Sequence, residues 1–156
     1  MKSVLLSTIL FLFSTVSDAQ QPKINKPATI QKFKPPKVLS YWGIRSDSSS
    51  ITVDEALQLL TIPIRVVDAD KNNFTISSYL FLYRKLGVIE DEETGKTHLA
   101  STISSQQFST TPLPPIWITS ISEQLKTDEE LNFYDIVVKD NKGHLFFAPP
   151  IKIKIN

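Results

Sequence analysis

The sequence predicts an all-β protein with the architecture of an Ig-like two-sheet antiparallel β-sandwich and one short helix. Apolar and polar residues alternate over most of residues 38–156, as they do in strands with one buried and one solvated face. Runs rich in Asn, Asp, Gly and Pro divide this part of the chain into roughly seven or eight strand-like segments. That number of short strands is typical of a sandwich, although the spacing also allows a closed barrel.

One segment departs from the strand pattern and predicts the helix. Thr52 and Glu55 have the spacing of a capping box, in which a hydroxyl and a carboxylate each accept a hydrogen bond from an amide at the helix start. Residues 56–60 then place Ala and Leu at helical spacing. Because Pro63 follows closely, the helix must be short.

Two β-rich segments, residues 62–67 and 74–84, are expected to pair as neighbours because a run of Asp and Asn joins them. A proline in the first places it at a sheet edge, while the length and aromatic content of the second favour a central position. Asp68, Asp70 and Asn72 match the first three positions of a calcium loop, but the glycine and glutamate that complete such a loop are missing. A hairpin turn is therefore predicted here, with a looser cation site as the alternative.

The second half of the domain continues the β pattern. The acidic run of residues 90–96 predicts a solvated loop tip, and further strands are expected near residues 98–104 and 116–121. Residues 131–138 and 144–147 then form a predicted hairpin, joined by a glycine-containing turn.

Residues 151–155 show the cleanest alternation in the chain. Their three isoleucines are predicted to point into the core, and Lys152 and Lys154 into water. Because Pro149 and Pro150 lack amide donors, the preceding strand is expected to end there or to change partner. The final strand lies either inside the sheet or at its edge, where free backbone groups would be open to a partner strand.

The N terminus predicts an exported protein, either periplasmic or secreted. A positive start, an apolar run over residues 4–16 and a small-residue ending at Ala19 match a signal peptide, so residues 1–19 are expected to be removed. The run is too short to span a bilayer, so no membrane span is expected after cleavage. Residues 20–37 are predicted to form a basic, proline-rich linker, and residues 38–156 the β-sandwich domain.

Composition and charge narrow the classes of function. The chain has no cysteine, which excludes disulfide bonds and thiolate metal sites. Residues 20–45 carry six cations and no acid, whereas residues 46–156 are acidic overall. Because those six cations are spread along the chain rather than clustered, no nucleic-acid partner is predicted.

A set of catalytic residues is not evident in the sequence. His98 and His144 lack the spacing of a metal site, and the consecutive acids of residues 90–93 diverge along a polar run. The protein is therefore predicted not to be an enzyme and to need no cofactor. An enzymatic alternative rests on Asp68 and Asp70 alone.

A non-enzymatic role requires a binding surface. Alternation cannot bury every aromatic residue next to the linker and before the paired prolines, and the lysines of the last strand are expected to face solvent. The predicted partner-binding residues are Tyr41, Trp42, Phe146, Phe147, Lys152 and Lys154. A protein partner is the first hypothesis, and a carbohydrate stacked on the exposed aromatics is the alternative.

The order of these features resembles a known family. The segments "YWG", "ITVDEAL", "NFTISSYLFLYRKLG" and "LNFYDIVVKDNKGHLFFAPPIKIKI" are similar to the C-terminal β-sandwich domain of the GldM-type gliding-motility and type IX secretion proteins of Bacteroidetes. GldM-type proteins carry a membrane anchor and further periplasmic domains, whereas this chain is predicted to have a cleavable signal and one domain. The resemblance, which covers residues 38–156, therefore implies a detached docking or accessory module that binds a cell-envelope protein.

Overall fold

The computed structural model describes residues 33–156. The predicted signal peptide and residues 20–32 of the predicted linker lie outside the described residues. Residues 33–37 are exposed and have no regular secondary structure, and the first strand begins at Val38. Neither of the helices in this part of the chain is long and apolar enough to cross a membrane.

The described part consists mostly of β-structure, which confirms the predicted all-β class. Its elements in chain order are β1 (Val38–Trp42), β2 (Arg45–Ser46), β3 (Ser48–Ile51), α1 (Val53–Leu59), β4 (Ile64–Asp68), β5 (Asn73–Glu90), β6 (Thr97–Phe108), α2 (Pro115–Ser122), β7 (Glu130–Lys139), β8 (Leu145–Phe147) and β9 (Ile151–Ile155). Apart from the segment that became α2, every predicted strand is present.

Hydrogen bonds connect the strands into one curved sheet of order β2-β1-β4-β5-β7-β9-β3. β6 pairs with β5 and β8 with β7, off this path. The sheet bends into a nearly closed, barrel-like shape. Pairs are antiparallel except β3 with β9, which are parallel, so the expected purely antiparallel arrangement is wrong at this pair. The long connection between β3 and β9 permits the parallel direction, which a tight turn would not.

The sheet confirms some predicted strand positions and corrects others. β5 is central, with β4, β6 and β7 as partners. β4 lies between β1 and β5 rather than at an edge, because its proline precedes the strand and removes no donor from the ladder. β9 lies between β7 and β3, so its alternative position at an edge is wrong. Its isoleucines are buried and its lysines exposed, as predicted.

An aromatic cluster fills the interior of the sheet. Trp42 meets Phe133 edge-on with ring centroids 5.0 Å apart, and Tyr79 and Phe81 lie 5.6 and 5.1 Å from the same phenylalanine. Each of these four residues is at most 1% exposed. Because large rings bury the most area per residue and the chain has no disulfide, this cluster carries much of the stability.

Alkaline pH is expected to destabilise the fold through Tyr79. Burial raises the pKa of Tyr79 to about 12, above the value of about 10 in an unfolded chain. Below about pH 10 both states keep the phenol protonated, and this contribution to stability is fully present. As the pH rises from about 10 towards 12, the unfolded state ionises first, so stability falls by an amount on the order of 1 kcal/mol at about pH 11.

Thermal melts at about pH 8 and pH 11 measure this effect. Tyr79→Phe is expected to be less stable at the lower pH, because it loses the 2.9 Å hydrogen bond from the tyrosine hydroxyl to the backbone oxygen of Thr110. It should, however, lose less stability than the natural protein between the two pH values, since the titrating group is gone. Equal losses in both proteins would contradict the prediction.

α1 begins where the sequence predicts, but only half of the predicted capping box is formed. The Glu55 amide donates to Thr52 Oγ1 at 3.2 Å. The Glu55 carboxylate does not turn back to Thr52 and accepts instead from Arg45 Nε and Nη2 at 2.7 and 2.9 Å, which ties α1 to β2. Gly43, at φ +61°, permits the close approach of α1, because a Cβ there would lie 2.5 Å from Leu59 Cδ2.

Residues 116–121, predicted as a strand, belong to α2. Their β-branched residues favour a strand, but Pro115 occupies the first helical turn, where a missing amide is harmless. Helical spacing directs Ile121, 1% exposed, and Trp117 towards the body, where Trp117 packs edge-on against Phe81 at 5.5 Å. Burial of this helical face outweighs β-propensity, so the domain has two helices rather than one.

Candidate functional site

β5 and β6 extend beyond the rest of the sheet as a two-stranded projection. The pairing of β5 with β7 ends at Arg84 and Glu130, while β5 continues to Glu90. Over this last stretch, β6 is the one described strand that pairs with β5. We refer to residues 84–103, which include the turn between the two strands, as the arm.

One face of the arm is apolar and open to solvent. Val88 and Leu99 stand opposite each other across the two strands, and Leu86 and Ile103 lie on the same face at alternate positions. Val88, Leu99 and Ile103 are 66%, 76% and 57% exposed. We refer to these four residues as the apolar arm face. Because three of them are exposed, they contribute little to the core, and their contact with water is unfavourable.

A buried carboxylate supports the end of the arm next to the main sheet, which we call its root. Glu129 is 1% exposed, and its carboxylate accepts hydrogen bonds from the Tyr83 hydroxyl at 2.5 Å and from the amides of Leu86 and Lys126 at 3.2 and 3.0 Å. Burial, reinforced by Glu129, raises the pKa of Tyr83, so the phenol keeps its proton and remains a donor. Leu86 lies beyond the last residue that pairs with β7. Glu129 therefore extends the support of β5 into the arm.

Two partly exposed contacts strengthen the same root. The Arg84 guanidinium forms an ion pair with the Glu130 carboxylate, and the Lys85 ammonium donates to the side-chain oxygen of Gln124. The hydrogen bond from Arg84 holds the pKa of Glu130 below its ordinary value, so this carboxylate stays charged at neutral pH. Together with Glu129, these contacts hold the arm in a defined direction from the body.

The tip of the arm is acidic and solvated, as predicted. Residues 90–93 are four consecutive acids, all exposed. The Asp91 carboxylate accepts hydrogen bonds from the amides of Thr94 and Glu93 at 2.9 and 3.0 Å, and those from Thr94 above all hold the pKa of Asp91 below its ordinary value. The tip is therefore a charged turn adjoining the apolar arm face.

A groove of about 430 Å³ lies at the root, between α2 and the other face of β5 and β6. Trp117 lines this groove and donates from Nε1 to Gln106 Oε1 at 3.0 Å. Ile116, also in its wall, is 76% exposed. The groove and the apolar arm face thus lie on opposite faces of β6.

Two of the six predicted partner-binding residues lie in the core instead. Trp42 is 1% exposed and Phe146 is 7% exposed, so the prediction that they are on a surface is wrong. Both follow strand alternation: Trp42 shares the inward face of β1 with Val38 and Ser40, while Phe146 alternates with the exposed residues of β8. Neither ring is available to stack on a carbohydrate.

The other four predicted residues are accessible but lie on strands in different parts of the sheet. Tyr41, on β1, is half-buried in the wall of a groove of about 250 Å³, and Phe147, on β8, is 71% exposed. Lys152 and Lys154 line a groove of about 340 Å³ on β9. β1 pairs with neither β8 nor β9 in the described sheet. A partner-binding role for these residues stays a prediction.

The structure also shows where the residues considered for metal binding or catalysis lie. In residues 33–156 no three His, Asp or Glu side chains converge on a possible metal position. Asp68 forms the predicted turn, accepting hydrogen bonds from the amides of Asp70 and Asn72 at 3.0 and 2.9 Å, and the Asn72 side chain is the main cause of its lowered pKa. His144 Nδ1 lies 2.8 Å from Asp140 Oδ2 in the turn after β7.

The arm was missed as a candidate site. Strands were predicted on both sides of the acidic tip, but their alternation does not show where the neighbouring strand stops. Val88 and Leu99 have the residue types of a core. Val88 and Leu99 lie next to a long polar run in the sequence, and no neighbouring segment could cover them. This position is the one feature of the sequence that indicates their exposure.

Comparison with known proteins does not indicate a function for this chain. The chain matches no protein-family model and no curated protein. What the arm offers chemically is a set of exposed aliphatic side chains and the backbone edge of β6.

Proposed function

We propose that this protein is an exported, non-enzymatic docking module that binds a protein of the cell envelope through the arm. The observation that carries the proposal is the apolar arm face, in which Val88, Leu99 and Ile103 are each more than half exposed on a braced hairpin. Apolar surface of this kind outside a core is typical of protein interfaces. Aliphatic side chains also suit a protein better than a sugar ring, which stacks on aromatic residues.

The surroundings of the apolar arm face support this role. The acidic tip would form a polar rim beside an apolar centre, as in many protein interfaces. The contacts of Glu129 and Glu130 hold the root in one geometry, so little conformational entropy is lost when a partner binds.

Kinship with the GldM-type C-terminal domains, including their Ig-like sandwich architecture, is part of this proposal. The order of elements supports it, because "YWG" lies in β1 and the following turn, "ITVDEAL" runs from the end of β3 into α1, and the closing hairpin forms β7 and β8. The genes next to the one that encodes this chain test the kinship. Neighbouring genes for gliding or type IX secretion components would favour it, and an unrelated neighbourhood would weigh against it.

Photo-cross-linking in intact cells tests the docking function. With a photoreactive phenylalanine analogue in place of Val88, we expect a discrete covalent adduct with a cell-envelope protein, identified by mass spectrometry. The same analogue in place of Lys139, an exposed residue of β7 outside the arm, is the matched control and should give little adduct. Equal adduct yields at the two positions would contradict docking through the arm.

A substitution separates docking from folding. Leu99→Ser should abolish the adduct formed from position 88, yet change stability by less than about 0.5 kcal/mol, because Leu99 is 76% exposed.

The proposal that the protein is not an enzyme is tested with common ester, peptide and glycoside substrates. Hydrolysis that disappears in His98→Ala or His144→Ala would overturn it.

A further inference from the structure

β6 is the long open edge of the sheet. Among the described strands it pairs with β5 alone, along all 12 of its residues. The other strands with a single partner, β2, β3 and β8, have 2, 4 and 3 residues. Short edges limit the addition of a further strand, whereas a long edge presents a row of backbone donors and acceptors.

β6 also lacks the features that usually protect an edge. Its sequence contains no Lys, Arg, Asp, Glu or Pro. Its register with β5 is regular from Tyr79 and Phe108 to Glu90 and Thr97, without a bulge. Proteins commonly block an exposed edge with a charge, a proline or a bulge, so an uncharged and regular edge of this length is suited to pairing.

The hydrogen bond of Leu86 shows which backbone groups of β6 are directed outwards. Because the Leu86 amide donates to Glu129, it points away from β6, and Leu86 and its partner Ser101 exchange no backbone hydrogen bonds. The backbone groups of Ser101 therefore point away from β5. The direction repeats at every second residue, so those of Leu99 and Ile103 point outwards as well. The outward backbone groups and the apolar side chains thus belong to the same residues.

We propose that a second copy of this chain pairs with this edge, β6 antiparallel to β6, about a two-fold axis at Ser101. The inference rests on the proposed docking function and names one occupant of the arm. In this register, Ser101 stands opposite its counterpart, and Leu99 of each copy stands opposite Ile103 of the other. These opposed residues share a face, so the two apolar arm faces join into one continuous surface for a further partner.

Charge favours an identical antiparallel strand as the occupant. In the antiparallel pair the acidic tips, residues 90–93, lie at opposite ends, whereas a parallel pair would bring both tips together. β6 has no Lys, Arg, Asp or Glu, so a second β6 brings none of these charged side chains against the edge. For the same reason, β6 offers no carboxylate, ammonium or guanidinium group that would select a basic or an acidic strand of another protein.

The lack of cysteine makes this register directly testable. Opposed residues that exchange both backbone hydrogen bonds have Cα atoms about 5.5 Å apart, a distance that a disulfide spans. In the full chain, Ser101→Cys is therefore expected to give a disulfide-linked dimer on mild oxidation. Ser105→Cys is the matched control, exposed on the same face of the same strand, but its two copies lie roughly 27 Å apart in this register.

Non-reducing electrophoresis and mass spectrometry measure the result. A yield of homodimer about ten-fold higher for Ser101→Cys than for Ser105→Cys supports the proposed pairing. Equal yields from the two variants, or no dimer from Ser101→Cys, overturn it. A disulfide from Ser101→Cys to a chain of different mass also overturns it, because another protein would then occupy the edge.

The two proposals fail separately. If Ser101→Cys stays monomeric while the probe at position 88 still captures a cell-envelope protein, docking stands and self-pairing is wrong. If the disulfide dimer forms but position 88 gives no adduct with another protein, the arm joins copies of this chain and docking to the envelope is wrong.

Discussion

Ile153→Asp is expected to unfold the domain. Ile153 is 1% exposed in β9, between Leu131 of β7 and Ser49 of β3. Aspartate there would bury an unpaired carboxylate or force the sheet apart, and either outcome costs several kcal/mol. Because a domain of this size has a total stability of about 5–15 kcal/mol, the cooperative thermal transition should shift far down or disappear.

Lys152→Asp is the matched control, since Lys152 is exposed on the opposite face of the same strand. Its ammonium lies over the Tyr134 ring, 5.8 Å from the centroid, and the loss of this contact should cost about 0.5–1 kcal/mol. Melting curves followed by circular dichroism compare the two variants. Equal midpoints would show that β9 is not packed as described.

Trp42→Ala is expected to destabilise the domain by about 3–5 kcal/mol. The indole packs against Phe133 at 5.0 Å and donates from Nε1 to the Ile62 backbone oxygen at 3.0 Å, so truncation leaves a cavity and an unpaired carbonyl. Trp42→Phe keeps a ring in the same space and should cost less, on the order of 1–2 kcal/mol. Urea unfolding measures both changes.

The stability of Trp42→Ala also decides how the carbohydrate-binding alternative is tested. If Trp42→Ala unfolds the domain, any loss of glycan binding in that variant reflects unfolding rather than a missing stacking platform. Tyr41→Ala and Phe147→Ala are then the informative variants, because Tyr41 is half-buried and Phe147 is 71% exposed. A loss below about 1 kcal/mol in Trp42→Ala would contradict the core position of the indole.

The strands next to solvent were the easiest elements to predict. The alternation in β9 and the hairpin of β7 and β8 depend only on one face being wet and on a turn that accepts glycine. Residues 116–121 were predicted wrongly, because β-branched residues favour strands when considered alone. In the folded chain, Trp117 gains more by packing a helical face against Phe81.

Which residues form the candidate site depends on contacts between distant parts of the chain. The alternation of apolar and polar residues along one strand does not encode these contacts. Trp42 and Phe147 are both aromatic residues close to a turn, yet one is 1% and the other 71% exposed. Which of them is covered depends on strands far away in sequence. Likewise, Val88 and Leu99 resemble core residues until the end of the β5–β7 pairing at Glu130 is known.

β5 lies partly in the buried sheet and partly in the arm. We therefore expect natural selection to act differently on the two parts of this strand. Tyr79, Phe81 and Tyr83 are at most 2% exposed, so we expect mutations there to be selected against because they destabilise the fold. Val88 is 66% exposed, so most substitutions there leave the fold intact. An aliphatic residue retained at position 88 over many generations would therefore record selection for recognition alone. Under the proposed docking function, substitutions in the arm would change the partner that it binds while the buried part of the sheet stays the same.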